Sequence, residues 1–205
     1  MLDHVFSDAI SALRDAFSNA FLERQAFDEH FQSDVLLGDL VWQTSYGLPG
    51  EGRPPRVLAH VTFTWPSWSQ AIYRAWYTDE TFHEAPEIEM EIVFRVQRLS
   101  TQPDSNIVES IVPIKSPRVG HSQLVREGTT VEINHPTQQD KKSVDQIDYA
   151  IEVTYQGNYE LAEETLQDGT SKLLDDNFGS LGSWIASTLV KLGDLRLAFL
   201  PVEEV

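Results

Sequence analysis

The chain has 205 residues, 41% of them hydrophobic and 10% aromatic, enough for one substantial core and short for two. Thirty-two acidic residues against fifteen basic give a formal charge of −17, which repels nucleic-acid phosphates and anionic lipid head groups, so no nucleic acid and no membrane is expected as a partner. The absence of cysteine excludes a disulfide framework, a zinc–thiolate site and a cysteine nucleophile.

No run approaches the roughly 18 apolar residues of a membrane span. The start, MLDHVFSDAI, lacks a basic region and an uninterrupted apolar stretch, so a secretory signal is not expected and a cytoplasmic location is, or a particle-associated one if the source is viral.

From the N-terminus, Leu2, Phe6, Ile10, Leu13, Phe17, Ala20, Phe21, Phe27 and Phe31 fall on one face at helical period, with Asp8, Asp15, Asn19 and Glu23 opposite. The pattern predicts a long amphipathic helix of about 45 Å if it runs unbroken to Phe31. Arg24 lies in the apolar stripe, so either the helix breaks there or the guanidinium reaches a carboxylate on another element or subunit.

From Val35 the period becomes two. Leu36, Leu40, Trp42 and Tyr46 share one parity, and Val57, Ala59, Val61, Phe63 and Trp65 alternate with His60, Thr62 and Thr64. The reading is an antiparallel hairpin whose loop, GLPGEGRPPR at 47–56, is longer than a turn needs and carries the basic pair Arg53 and Arg56. Long loops of this kind are often where contacts are made.

Ser67 to Tyr77 reads as a short helix, and Glu87 to Leu99 as a long strand with Ile88, Met90, Ile92, Phe94 and Val96 on one face and Glu87, Glu89 and Glu91 on the other. Shorter strands are expected at Ile107–Ile114, Gln123–Glu127 and Thr129–Ile133, the last two joined by a tight EGTT turn. NHPTQQDKKSVD, at 134–145, is a polar connection, and Ile147 to Tyr155 a further strand. Gly169 and Gly179 are expected to end short helical segments, with a capped helix from Ser180 to Leu192, and LRLAFLPV reads as a final strand.

The fold class this implies is α+β in a single domain over 1–205: a long N-terminal amphipathic helix, a largely antiparallel sheet with long hairpins, C-terminal helices and a final strand. The loop 47–56 and the connection 134–145 are its expected excursions.

The phosphate-binding, dinucleotide, zincin, EF-hand and nucleophile-elbow motifs are all missing from the sequence. Phe178–Trp184, FGSLGSW, lacks the lysine of a phosphate loop and reads as a helix C-cap followed by an N-cap. The six histidines are scattered; His83 with Glu84 or Glu87 is the best seed of a metal site, and no cofactor is implied. Glu87, Glu89 and Glu91 stand at i, i+2 and i+4, successive pairs about 6.5–7 Å apart by strand rise, which permits paired-carboxylate chemistry without diagnosing it, and the reading is a solvated face.

In TWPSWSQAIYRAWYTDETFHEAPEIEME, at 64–91, Trp65, Tyr73 and Trp76 are expected in the core, whereas Trp68 and Tyr77 are less easily placed inside. Together with Phe82 and His83 of the linker DETFHEAP, and with Arg24, Arg53 and Arg56, these form the set of candidate interface residues. The leading functional expectation is a non-enzymatic subunit packing against other protein chains, as a homo-oligomer or in a multi-subunit assembly such as a viral tail or secretion-type apparatus. The alternatives are an acidic immunity- or chaperone-type partner-binding protein, and a carbohydrate-active enzyme or lectin using residues 65–91.

Overall fold

The computed structural model describes residues 10, 11, 15, 29–36, 38–48, 55–79, 84–134, 147–163 and 171–201, with the backbone alone for residues 29–36, 77, 79 and 171–173. Seven strands pair into one antiparallel sheet: β1 (Glu29–Leu36), β2 (Asp39–Gly47), β3 (Val57–Trp65), β4 (Glu87–Leu99), β5 (Lys115–Val119), β6 (Ser122–Asn134) and β7 (Asp148–Glu160). The spatial order is β1-β2-β3-β4-β7-β6-β5. Three helices are described: α1 (Ser67–Asp79) between β3 and β4, the single turn α2 (Ser105–Glu109), and α3 (Ser171–Gly193).

Alternation decides which face is buried. Val57, Ala59, Val61, Phe63 and Trp65 of β3, Ile88, Met90, Ile92, Phe94 and Val96 of β4, and Ile151, Val153, Tyr155 and Tyr159 of β7 are all buried. The register stacks them in rows, Val61 opposite Ile92 and Ile92 opposite Tyr155. α3 lays Leu174, Phe178, Leu181, Ile185, Leu189 and Leu192 on this face. Phe178 meets Phe63 and Tyr159 edge-on, with centroids 5.5 and 5.0 Å away. Trp184 meets Phe94 and Tyr155 in the same way. Ile10 packs against the same core.

α1 closes one end of the sheet through hydrogen bonds as well as apolar contact. Trp65 Nε1 donates to Ser69 Oγ at 3.1 Å, Ser69 Oγ donates to the Glu87 carbonyl at 2.8 Å, and Gln70 Nε2 donates to the Trp65 carbonyl at 2.8 Å and the Gly38 carbonyl at 3.0 Å. Gly38, with φ +92° in the β1–β2 turn, adopts a conformation that other residues resist.

The expected α+β arrangement is corrected at several points. A helix reaching Phe31 is overturned by β1, in which Phe31 pairs with Thr44. Residues 10, 11 and 15 are helical, and the rest of the first 28, Arg24 included, lie outside the described residues. What is described is mostly one antiparallel sheet with a single long helix, at its C-terminal end.

The strand expected at Ile107–Ile114 is instead α2 and its exit. Asp104, in extended conformation, caps it by accepting from the Asn106 N–H at 3.0 Å, a local hydrogen bond that outweighs the β-branched composition. The two short strands around EGTT are one strand, β6, whose register against β7 shifts between Arg126 and Gly128, so the glycine marks a bulge and not a turn.

Gly179 does not end a helix either. Leu174, Phe178, Leu181 and Ile185 make one continuous buried stripe through it, and burying each such side chain is worth about 1.5–3 kcal/mol against about 1 kcal/mol for a glycine in a helix interior. The expected final strand is reduced to one bridge, Leu99 with Phe199, flanked by hydrogen bonds from Ser100 N–H to Ala198 O and from Leu200 N–H to Arg98 O, each 2.8 Å. Of the expected excursions 47–56 and 134–145, Asn134 ends β6, and residues 49–54 and 135–145 lie outside the described residues.

Candidate interaction surface

The strand positions that alternate with the core face the other side of the sheet, where Leu58 and Ala150 are buried toward one end and the rows nearer the other end are open to solvent. Across β2, β3, β4 and β7 the register lines up Val41, Thr64, Glu89 and Asn158 in one row, Gln43, Thr62, Glu91 and Gln156 in the next, and Ser45, His60, Val93 and Thr154 in a third. Gln43, His60, Glu89, Gln156 and Asn158 are exposed. The face is therefore mainly polar.

Three groups of contacts organise it. Ser45 Oγ lies 2.6 Å from His60 Nδ1, a cross-strand pair fixed by their direct opposition in the register. Although its edge is exposed, the part of the ring lying on the sheet is desolvated, which lowers the His60 pKa from its ordinary 6.5, the Glu152 carboxylate opposing and Arg95 assisting that shift. Beside this pair Gln43, Ser45, His60, Thr62 and Glu91 line a hollow of about 280 Å³, floored by the strands at Thr44 and Val61.

The second group is the glutamate strip of β4. Glu91 accepts from Gln156 Nε2 at 2.8 Å and Glu87 from Asn158 Nδ2 at 2.7 Å, so the neighbours of these carboxylates are the amides of β7. Glu87 stands opposite Glu160.

The third is Arg95, which pairs with Glu152 across β4–β7 and with Glu132 on β6 at 2.9 Å. Burial disfavours its charge, but hydrogen bonds and proximity to the two carboxylates outweigh that and leave its pKa raised. Arg95 is thus already neutralised within the chain.

Of the interface residues expected from the sequence, the side chains of Arg56 and Trp68 are described. Arg56 Nη2 donates to the Leu200 carbonyl at 2.8 Å, and its guanidinium sits 4.8 Å from the Phe199 ring centroid, so this cation ties down the C-terminal segment. Trp68, in the first turn of α1, is 47% exposed. Arg56 precedes β3 and Trp68 follows it, which separates them by about 30 Å of strand. Tyr77 lies in α1 with its side chain outside the described residues, as are Arg24, Arg53, Phe82 and His83 altogether.

Neither the hollow nor a second, more open one of about 400 Å³, lined by Ser110, Ile111, Lys191, Asp194 and Leu195, includes Trp68, Glu84 or Glu87. No group of three or more histidine, aspartate or glutamate side chains is placed to hold a metal ion among the described residues. No described helix is long and apolar enough to cross a membrane.

Sequence reasoning identified the outward parity of His60 and of the three glutamates, but not the Ser45–His60 pair or the hollow. Those depend on which residue of β2 stands opposite which residue of β3, and the long intervening loop hides that register. No protein-family model, curated protein or solved structure matches the chain.

Proposed function

We propose that the chain works as a non-enzymatic subunit that binds other protein chains, as a structural or assembly component of a larger complex. One observation supports this reading: the sheet is packed on one face, while the other face of β2, β3, β4 and β7 carries exposed, hydrogen-bonded polar rows. The four strands β2, β3, β4 and β7, about 4.8 Å apart, over the seven residues from Glu87 to Val93 at about 3.4 Å each, give roughly 460 Å², the scale of a small interface patch.

The glutamates of that face favour a second version, an acidic partner-binding protein of the immunity or chaperone type that masks a basic toxin or effector. Two acidic faces repel each other, so this surface suits a different chain better than a second copy of the same one. A cytoplasmic setting belongs to the same proposal.

The experiment is the mass of the native particle carrying this chain, by light scattering, set against the mass of the single polypeptide under denaturing conditions. A particle of more than one polypeptide is expected. A particle of one polypeptide, at all accessible concentrations and in its native extract, overturns the reading.

A further inference from the structure

We infer that the exposed polar face between β2 and β7 docks a lysine- or arginine-rich segment of a partner protein, anchored by a cationic side chain in the hollow beside Glu91. The inference rests on the protein-binding reading above and names the surface and the chemistry of the occupant.

Charge complementarity decides the occupant. Glu87, Glu89, Glu91 and Glu160 occupy one end of the face, and no ion pair reaches any of them among the described residues. Arg95, on the same strand and face, is engaged by Glu132 and Glu152. The exposed Lys115 and Arg118 of β5 stand three strands from β4, about 14 Å away and beyond a Debye length of about 8 Å at physiological salt.

Glu87 directly opposite Glu160 breaks a rule of sheet pairing, because like charges in cross-strand register destabilise the pair. Such local conflicts are expected where a surface serves a partner. A cation from outside would relieve this one.

The hollow supplies what a bare acidic strip lacks. At about 280 Å³ it has room for a long cationic side chain, with Gln43, Ser45 and Thr62 as hydrogen-bonding walls and the Glu91 carboxylate at its edge. Among the described residues Glu91 accepts one hydrogen bond, from Gln156, which leaves acceptor capacity for a guanidinium or ammonium. The lowered pKa of the neighbouring His60 favours its uncharged ring, which does not repel a cation.

The test uses two labelled decapeptides, alternating Ser-Arg and alternating Ser-Asp, with binding read by fluorescence anisotropy at low and high salt. The Ser-Arg peptide is expected to bind, more weakly at high salt, and the Ser-Asp peptide not to bind. Glu89→Gln/Glu91→Gln is expected to weaken binding about tenfold, and Gln43→Lys, which sets a cation in the hollow, to weaken it similarly. Asp175→Asn/Asp176→Asn removes the same charge from the exposed side of α3 and should change binding less than about twofold.

Circular dichroism spectra matching wild type establish that each variant is folded. No binding of the Ser-Arg peptide, equal weakening by the two double variants, or wild-type binding by Gln43→Lys each overturns the inference. Failure of the peptide to bind while the native particle holds several polypeptides would leave the protein-binding reading intact, whereas a single-chain particle would remove that reading itself.

Discussion

Alanine at Gly157 would carry a Cβ 3.1 Å from the Gln123 carbonyl oxygen and 3.1 Å from Leu124 Cα, both backbone atoms of β6. Backbone in the middle of a sheet cannot rotate away as a side-chain end can, so β6 and β7 must separate by a few tenths of an ångström. Overpacking of this kind costs about 1–3 kcal/mol, offset by about 0.5–1 kcal/mol from the reduced freedom of the unfolded chain. Gly128, one strand away, has nothing within 4 Å of its Cβ position and lacks a positive φ. Alanine there retains the entropic gain alone, about 0.4–1 kcal/mol.

The two substitutions should therefore move stability in opposite directions. At about 2–4 °C per kcal/mol for a chain of this size, Gly157→Ala should lower the melting temperature by a few degrees and Gly128→Ala should raise it by about 1–4 °C. Thermal and urea unfolding followed by circular dichroism measures both. A rise for Gly157→Ala, or a fall for Gly128→Ala as large as that for Gly157→Ala, would refute the β6–β7 packing described above.

Two further outcomes follow from the polar face. Arg95→Met removes the shared partner of Glu132 and Glu152 and leaves two half-buried carboxylates adjacent, at a cost between the exposed and the buried limits, about 1–4 kcal/mol; urea unfolding within about 0.3 kcal/mol of wild type would contradict it. His60 has a folded-state pKa below its unfolded value of 6.5, so its stabilising contribution is present above that pH and is lost as pH falls through the folded-state pKa. With Ser45, Glu91, Arg95 and Glu152 all facing it, His60→Gln should lose less stability than wild type on moving from about pH 7 to pH 5, and an identical loss in both proteins would exclude the effect.

The strands that were legible in the sequence were those with strict alternation. β3 and β4 run over Val57–Trp65 and Glu87–Leu99, because each presents an uninterrupted apolar parity to one core. What misled was composition without context. Phe27 and Phe31 continue the helical period of the first segment, yet Phe31 belongs to β1, since pairing with β2 satisfies its backbone in a way that hydrophobic spacing alone does not reveal.

Gly179 and Gly128 carry the usual marks of punctuation. Their neighbours decide otherwise, through the buried stripe of α3 in one case and the long ladder with β7 in the other. The surroundings of an expected interface residue were equally hidden from the sequence. Arg56 has the composition of a contact residue but closes onto Phe199 and Leu200, and the Ser45–His60 pair becomes visible only once β2 and β3 are in register.

The most direct measurement is carboxyl footprinting, in which exposed glutamates and aspartates are amidated and quantified by mass spectrometry in the native particle and in the isolated chain. If the polar sheet face is the contact surface, Glu89 and Glu91 should be protected in the particle while Asp175 and Asp176 of α3 label equally in both. Labelling of Glu89 and Glu91 to the same extent in particle and isolated chain would contradict it.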